Sequence, residues 1–298
     1  MAVKEQRDMR SLISRQDKSE AMVRWSWLAV RGLLVAGTVA TVFPLLWMML
    51  SVLKSSREIF DIPPSLLPAT WQWGNYLEAW RKLRFLLYFK NTAVIAAGTW
   101  VFAITVPALA AYSLSKLKPA GGRVAIGMFL ATLMVPGMAY LIPQFLNLKH
   151  LPIVGLNLLD TYWALWLPAA VSAFNIFILK NSFDTVPLEL VEAARIDGAT
   201  EIHIFFRLML PLSKPTIAVL TIFVINGVWN DFFMPFVILS TQEKLPIMVA
   251  LYYFGTRSTV EMNIFLGGLA IAVIPPIVLF LVFQRHIIRG ITLTGLKG

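Results

Sequence analysis

Asp231 is the one ionisable residue inside an otherwise charge-free stretch, Pro215–Gln242, and Asn230 stands beside it. A carboxylate is costly to hold in an apolar solvent, so it faces a cavity or a partner. Three roles suit it. It can accept hydrogen bonds from a solute's hydroxyls along a path, brace the fold or an outer gate against a partner, or carry a proton in a secondary transporter. At 1.5 Å per residue it lies roughly 24 Å along a helix from Pro215. A second group of charges lies in Lys180–Lys214, with five acidic residues (Asp184, Glu189, Glu192, Asp197, Glu201) and four basic ones set among helix formers and apolar anchors. Other chemistries lack their residues. The sequence has no phosphate loop of the G-x-x-x-x-G-K-[ST] type, no H-E-x-x-H and no G-x-S-x-G. His150, His203 and His286 are far apart, and there is no cysteine. No catalytic residue and no metal site are expected.

The elements that position these groups follow from composition. Of 298 residues, 58% are hydrophobic and 14% charged, and the mean hydropathy is +0.71. Soluble domains average about 45–50% apolar and about 25% charged, and a chain of this size cannot hide such an excess in a soluble core. The expected fold is therefore an all-α membrane protein. A span needs about 20 mostly apolar residues. The gaps between charges supply six: Leu33–Leu53, Asn91–Ser115, Val124–Leu148, Thr161–Leu179, Pro215–Gln242 and Met262–Gln284. The runs are continuous, unlike the alternating strands of a membrane barrel. Prolines fall in every span: Pro44, Pro107, Pro136, Pro168, Pro235 and the pair Pro275-Pro276. Membrane helices tolerate them where neighbours satisfy the freed carbonyls.

The net charge of +10 first suggests nucleic acid, but orientation explains most of it. Counted over alternate segments, the side holding the N-terminus carries 17 Lys and Arg and the other side 9. Both termini are then cytoplasmic. The dissent is the outer loop Lys54–Lys90, which holds six basic residues. They are candidates for contact with a binding protein or an acidic substrate. No cleavable signal is evident, so the first span is expected to stay as an anchor. Trp25, Trp27, Trp47, Trp163 and Trp166 fit interfacial belts. Asn175, Asn226, Tyr140 and Gln144 read as glue between helices. Tyr252, Tyr253 and Phe254 in the outer loop Ser240–Glu261 suit either a sugar face or the interface. The expected organisation is a tail 1–32, a six-span transmembrane domain 33–285 containing the loop 180–214, and a tail 286–298.

Within that loop, Asp184 and Thr185 are candidate N-caps and Pro187 suits a first helical turn. A helix through Leu190, Val191, Ala193, Ala194 and Ile196 should end in a sharp turn at Gly198. A second should carry Ile202, Phe205, Phe206 and Met209 and end at Pro211. The string Glu192-Ala193-Ala194-Arg195-Ile196-Asp197-Gly198-Ala199, continuing to Leu208-Met209-Leu210-Pro211, resembles the E-A-A-x3-G-x9-I-x-L-P signature of ABC importer permeases. Leu208 replaces the usual isoleucine. The resemblance implies a cytoplasmic coupling helix pair between spans four and five that docks on an ATP-hydrolysing subunit. Glu192, Ala193, Ala194, Asp197 and Gly198 would form its core, with Glu192 pairing with a basic residue or capping the turn.

Three further stretches are similar to the carbohydrate branch, with its maltose-type and glycerol-phosphate-type importers. They are Asn75-Tyr76-Leu77 followed by Phe89-Lys90-Asn91-Thr92, then Trp229-Asn230-Asp231-Phe232 leading to Pro235, and the tail from Gln284 to Lys297-Gly298. The resemblance covers the chain from about residue 70 onward. It implies a permease subunit of a binding-protein-dependent, ATP-driven carbohydrate importer in a bacterial inner membrane. Its partners would be a second permease, often different, two ATPase subunits and an extracytoplasmic binding protein. ATP and Mg would be held by the ATPases and no cofactor by this chain. Trp229, Asn230 and Asp231 would line the path or gate, and Thr292 and Lys297 would reach the ATPases. The alternatives are a secondary transporter or channel using Asp231 as its ion or proton site and, more weakly, a membrane scaffold.

Overall fold

A computed structural model describes the backbone of residues 21–294 except 153, 258 and 259, and the side chains of 25–284 apart from the same three. Among the described residues every regular element is helical. The chain divides between Asn75 and Tyr76 into two compact units. The first contains α1 (Ala21–Val52) and α2 (Ser56–Ile59). α1 begins well before the charge-free stretch and passes through Pro44. Its end is closed by Asn75, whose amide donates to the carbonyls of Val52 at 2.7 Å and Lys54 at 3.2 Å. α3 (Gly74–Lys82) carries the chain across the boundary.

The second unit is built on α4 (Phe85–Tyr112), which runs on through a π turn, Ser113–Leu117. α1, α4 and α15 (Met262–Thr294) are long and apolar enough to cross a membrane unaided. The other expected spans are broken. α5 (Gly122–Thr132) and the segment Gly137–Lys149, which contains α6 (Leu141–Lys149), meet at 99°. Pro136 precedes the 3-10 turn where the second piece begins. α7 (Trp163–Ala169) and α8 (Ala173–Asp184) meet at 44°. A third bent pair joins Glu201–Leu212, which lies in the loop 180–214 and not in an expected span, to α12 (Lys214–Asn230) at 79°, and the expected span Pro215–Gln242 is itself interrupted after Asn230. Counting each bent pair as one span gives up to six. Each break lies beside a proline or where side chains replace the lost ladder bonds, as expected for kinked membrane helices.

Between α8 and α12 lie α9 (Leu188–Ile196), α10 (Glu201–Ile204), a π turn at Phe205–Met209 and α11 (Leu210–Leu212). Beyond α12 come α13 (Phe233–Ile238) and α14 (Ile247–Gly255). Two apolar cores sit at the two ends of α4. One gathers Phe85, Tyr88, Ile95, Trp229, Ile247 and Ile264. The other gathers Ala108, Tyr112, Phe183, Val191, Phe205 and Met209. From Asn91 to Ser115 a helix rises about 36 Å, somewhat more than an apolar bilayer core. Contacts obey that separation: segments that alternate topology places on opposite sides meet at opposite ends of α4.

Trp166 is not an interfacial anchor. Its indole N–H donates to Ile95 O at 3.1 Å, and its ring lies so close to Gly98 that a Cβ there would sit 2.1 Å from it. Trp25 and Trp163 are exposed as expected. Asn175 is helix glue: its amide donates to Ala103 O at 2.9 Å.

Candidate functional site

The turn at Gly198 forms from a short amphipathic helix that must stop abruptly. α9 starts after Pro187 with no side-chain cap, so neither Asp184 nor Thr185 caps it. Asp184 is bound elsewhere: it accepts from Ser115 Oγ at 2.6 Å and pairs with Lys180 at 2.6 Å. Gly198 then takes φ +84°, a left-handed conformation that L side chains reach only with strain. Thr200 restarts the chain as an N-cap, accepting from the His203 N–H. The helix passes Pro211 and ends at Ser213, because the π turn at Phe205–Met209 precedes the proline and Pro211 falls in a first turn.

Ala193, Ala194, Asp197 and Gly198 line one open concavity of about 680 Å³, shared with His203 and Arg207. Glu192 is exposed and off its lining. Its carboxylate makes no ion pair or hydrogen bond among the described residues, contrary to the expected pairing or capping role. Arg195 and Glu201 take that role across the turn, with Arg195 Nε donating to Glu201 Oε1 at 2.8 Å. Glu201 also accepts from the Tyr112 hydroxyl at 2.5 Å, and Lys116 Nζ donates to Val186 O at 2.6 Å. The turn is thus tied to the end of α4. Its outer face stays bare: Ile196 is 87% exposed and Ile202 71%. Apolar side chains so placed mark a contact surface, for protein or for lipid.

The opposite end of α4 is tied as firmly. Asn91 donates to the carbonyls of Glu243 at 2.7 Å and Leu245 at 3.0 Å. Thr92 Oγ1 accepts from the Ile247 N–H at 2.9 Å and donates to Tyr88 O at 2.8 Å. Asp160, at φ +59°, accepts from the N–H groups of Ser240 and Thr241, the Thr241 hydroxyl and Lys244 Nζ. Burial opposes its charge, but Lys244 and these donors hold its carboxyl well below the usual carboxylate range. Nothing in the sequence pattern singled out Asp160. Its only signal was an acid at the boundary of a span.

Between the two ends lies a cavity of about 540 Å³, walled by α4, α6, α7, α8, α12 and α13. Gln144, Ser172, Asn230 and Asp231 contribute polar groups to it. α12 stops at Asn230, and Asp231 is extended, at ψ 116°. Its Oδ1 accepts from the Met234 N–H at 3.4 Å, which supports the restart as α13. The Asn230 amide folds back on Asn226 O at 2.8 Å. Trp229 does not line the cavity: it is buried, donates to Ala272 O at 3.1 Å and meets Phe89 edge-on. Tyr252 and Tyr253 pack with Phe232 and Phe236. Lys297 lies outside the described residues, and the side chain of Thr292 does too.

Residues 102–293 match the family described as binding-protein-dependent transport system inner membrane component. The maltodextrin transport system permease protein MdxG of Bacillus subtilis (strain 168) is 34% identical over 233 residues, covering 77% of this chain and 82% of that protein. The diacetylchitobiose uptake system permease protein NgcG of Streptomyces coelicolor is 30% identical over 264 residues, covering 87% and 85%. A solved bacterial ABC transporter involved in importing the acidic polysaccharide alginate aligns over 92% of this chain and 99% of its own, with a TM-score of 0.77 and 26% identity.

Proposed function

Because this chain belongs to the binding-protein-dependent inner-membrane transport permeases, we propose that it forms half the path of an ATP-driven oligosaccharide importer and couples that path to ATPase subunits. The observation that carries this reading is the turn at Gly198, a bare concavity joined through Arg195, Glu201 and Tyr112 to a spanning helix. A push on the turn is delivered to α4 rather than absorbed in a loose loop. The reading has six spans, the turn and both termini in the cytoplasm, and one permease domain over 33–285. Its partners are a second permease, two ATPase subunits and an external binding protein. ATP and Mg belong to the ATPases. Ala193, Ala194, Asp197 and Gly198 form the docking floor, and Glu192, unpaired in the described chain, is left to meet a cation of the ATPase. The tail with Thr292 and Lys297 reaches the same subunits.

Asn230 and Asp231 offer acceptors and donors to sugar hydroxyls in the cavity, while Trp229 holds the helix end that presents them. Relatives named for maltodextrin and diacetylchitobiose support an oligosaccharide as cargo.

The test uses the complex purified from native membranes and reconstituted in vesicles. No atom lies within 4 Å of a Cβ built on Gly198, so a side chain there has room but strains the backbone. Gly198→Asn tolerates the left-handed φ and should retain ATP-driven uptake. Gly198→Trp places an indole at the docking floor and should abolish both ATPase co-purification and uptake. Uptake that survives Gly198→Trp, or persists with no ATPase present, overturns the reading in favour of a secondary transporter.

A further inference from the structure

The six cations of the loop Lys54–Lys90 are not one group. Lys54 is buried, with its ammonium on Ser65 O and 5.9 Å from the Trp47 ring centre. Lys82 pairs with Glu78 at 2.5 Å. Arg57 is exposed, three residues after Lys54. The remaining three, Arg81, Arg84 and Lys90, surround a single concavity of about 510 Å³. All three are exposed, and among the described residues none has an ion pair. Arg84 is held at φ +47°, in the link that turns α3 into α4. The floor is apolar: Trp80, Phe85, Leu86 and Leu87. Trp80 stacks on buried Phe85 at 5.4 Å, so the floor is rigid, while Leu86 is 72% exposed.

We propose that this concavity binds the headgroup of an anionic phospholipid. Its place in the fold argues for lipid over protein. It sits at the end of a membrane-crossing helix, where headgroups lie. From it an exposed apolar stripe leads along α4 through Ala93, Val94, Ala97 and Val101 at helical spacing, with Lys90 at its head and Leu86 one turn before it. Cations at the rim meet the phosphate, Trp80 lies at headgroup level and the stripe takes an acyl chain. Three positive charges that would otherwise repel one another and oppose the charge rule for orientation are thereby matched. The proposal needs α4 to span the membrane but not the importer reading, so either can fail alone.

The test is native mass spectrometry of the full-length chain in detergent, titrated with phosphatidylglycerol, phosphatidylcholine and inorganic phosphate. The wild type should hold one phosphatidylglycerol at least about tenfold more tightly than phosphatidylcholine, since each basic residue near the headgroups adds to the attraction. Arg81→Gln/Arg84→Gln/Lys90→Gln should remove the preference. The single variant Lys90→Gln, away from the helix junction, should reduce it in part while helicity by circular dichroism is unchanged. Arg123→Gln, on α5, should leave it intact. An unchanged preference in the triple variant overturns the proposal, as does an equal loss in Arg123→Gln. Displacement by millimolar inorganic phosphate would make it a free-anion site. If the triple variant kept its lipid preference but lost affinity for an acidic binding protein in lipid-free detergent, the surface would belong to that protein.

Discussion

Replacing Glu201 with alanine should cost the chain about 2 kcal/mol, and the cost should divide unequally between two partners. The Arg195–Glu201 pair is half exposed, with side-chain exposures of 37% and 44%, so its own worth is about 0.5–1 kcal/mol. The Tyr112 hydroxyl belongs to a residue only 4% exposed, and a buried donor left without an acceptor costs about 1–3 kcal/mol. Glu201→Gln keeps an acceptor for Tyr112 and loses the ion pair, so it should recover most of the stability. Tyr112→Phe removes the orphaned donor and should reduce the cost of a second change, Glu201→Ala, to the ion pair's about 0.5–1 kcal/mol. Denaturant unfolding in detergent micelles, followed by tryptophan fluorescence, measures all four proteins. In the reconstituted complex, Glu201→Ala should also raise ATP hydrolysed per sugar imported, while Glu201→Gln should not. Equal losses for Glu201→Ala and Glu201→Gln would show that the ion pair dominates and refute the partition. A stability loss with an unchanged ATP-to-sugar ratio would show that the link is structural only.

Gly98→Val forces the Trp166 indole away from α4, and overpacking of this kind costs about 1–3 kcal/mol. Unfolding curves and a shift in tryptophan emission check it, and a silent substitution would mean that the two helices are not in this contact. Asp160 has a depressed folded pKa, so its contribution is present above its unfolded value of about 3.9 and is lost as pH falls below that. Asp160→Asn should therefore lower stability at pH 7 and flatten its acid limb, whereas a parallel curve would place the acid-side loss in other carboxylates.

The spans were legible where apolar residues ran without interruption, as in Asn91–Ser115 and Met262–Gln284, because burial in lipid depends on composition and length. Their breaks were less so. A proline marks where a helix can bend, but the 99° turn at Pro136 and the continuous helix through Pro107 carry the same residue type. Tertiary contacts on either side decide between them. The turn at Gly198 was legible as a local rule about φ. Asp160 and Tyr112 were not, since their meaning lies in partners 81 and 89 positions away along the chain. Trp166 shows the same limit: a tryptophan near a span end suits an interface, and only the glycine and the carbonyl opposite show that it faces inward.

The two tied ends constrain any mechanism. At one end of α4, Asn91 and Thr92 hold residues 243–247 while Asp160 clasps 240–244. At the other, Tyr112, Ser115 and Lys116 hold Glu201, Asp184 and Val186. Between them Trp100 reaches Thr221 on α12 at 2.8 Å and Asn175 reaches α4. Walls fastened at both ends and in the middle cannot part to let an oligosaccharide through without breaking several hydrogen bonds, some of them buried. The cavity is walled by these fastened helices. Access must therefore change by moving this whole bundle against a facing surface. In the assembly proposed above, a second permease is that surface and the turn at Gly198 is where the force enters. A channel or secondary transporter made of this chain alone would have to break those ties in each cycle.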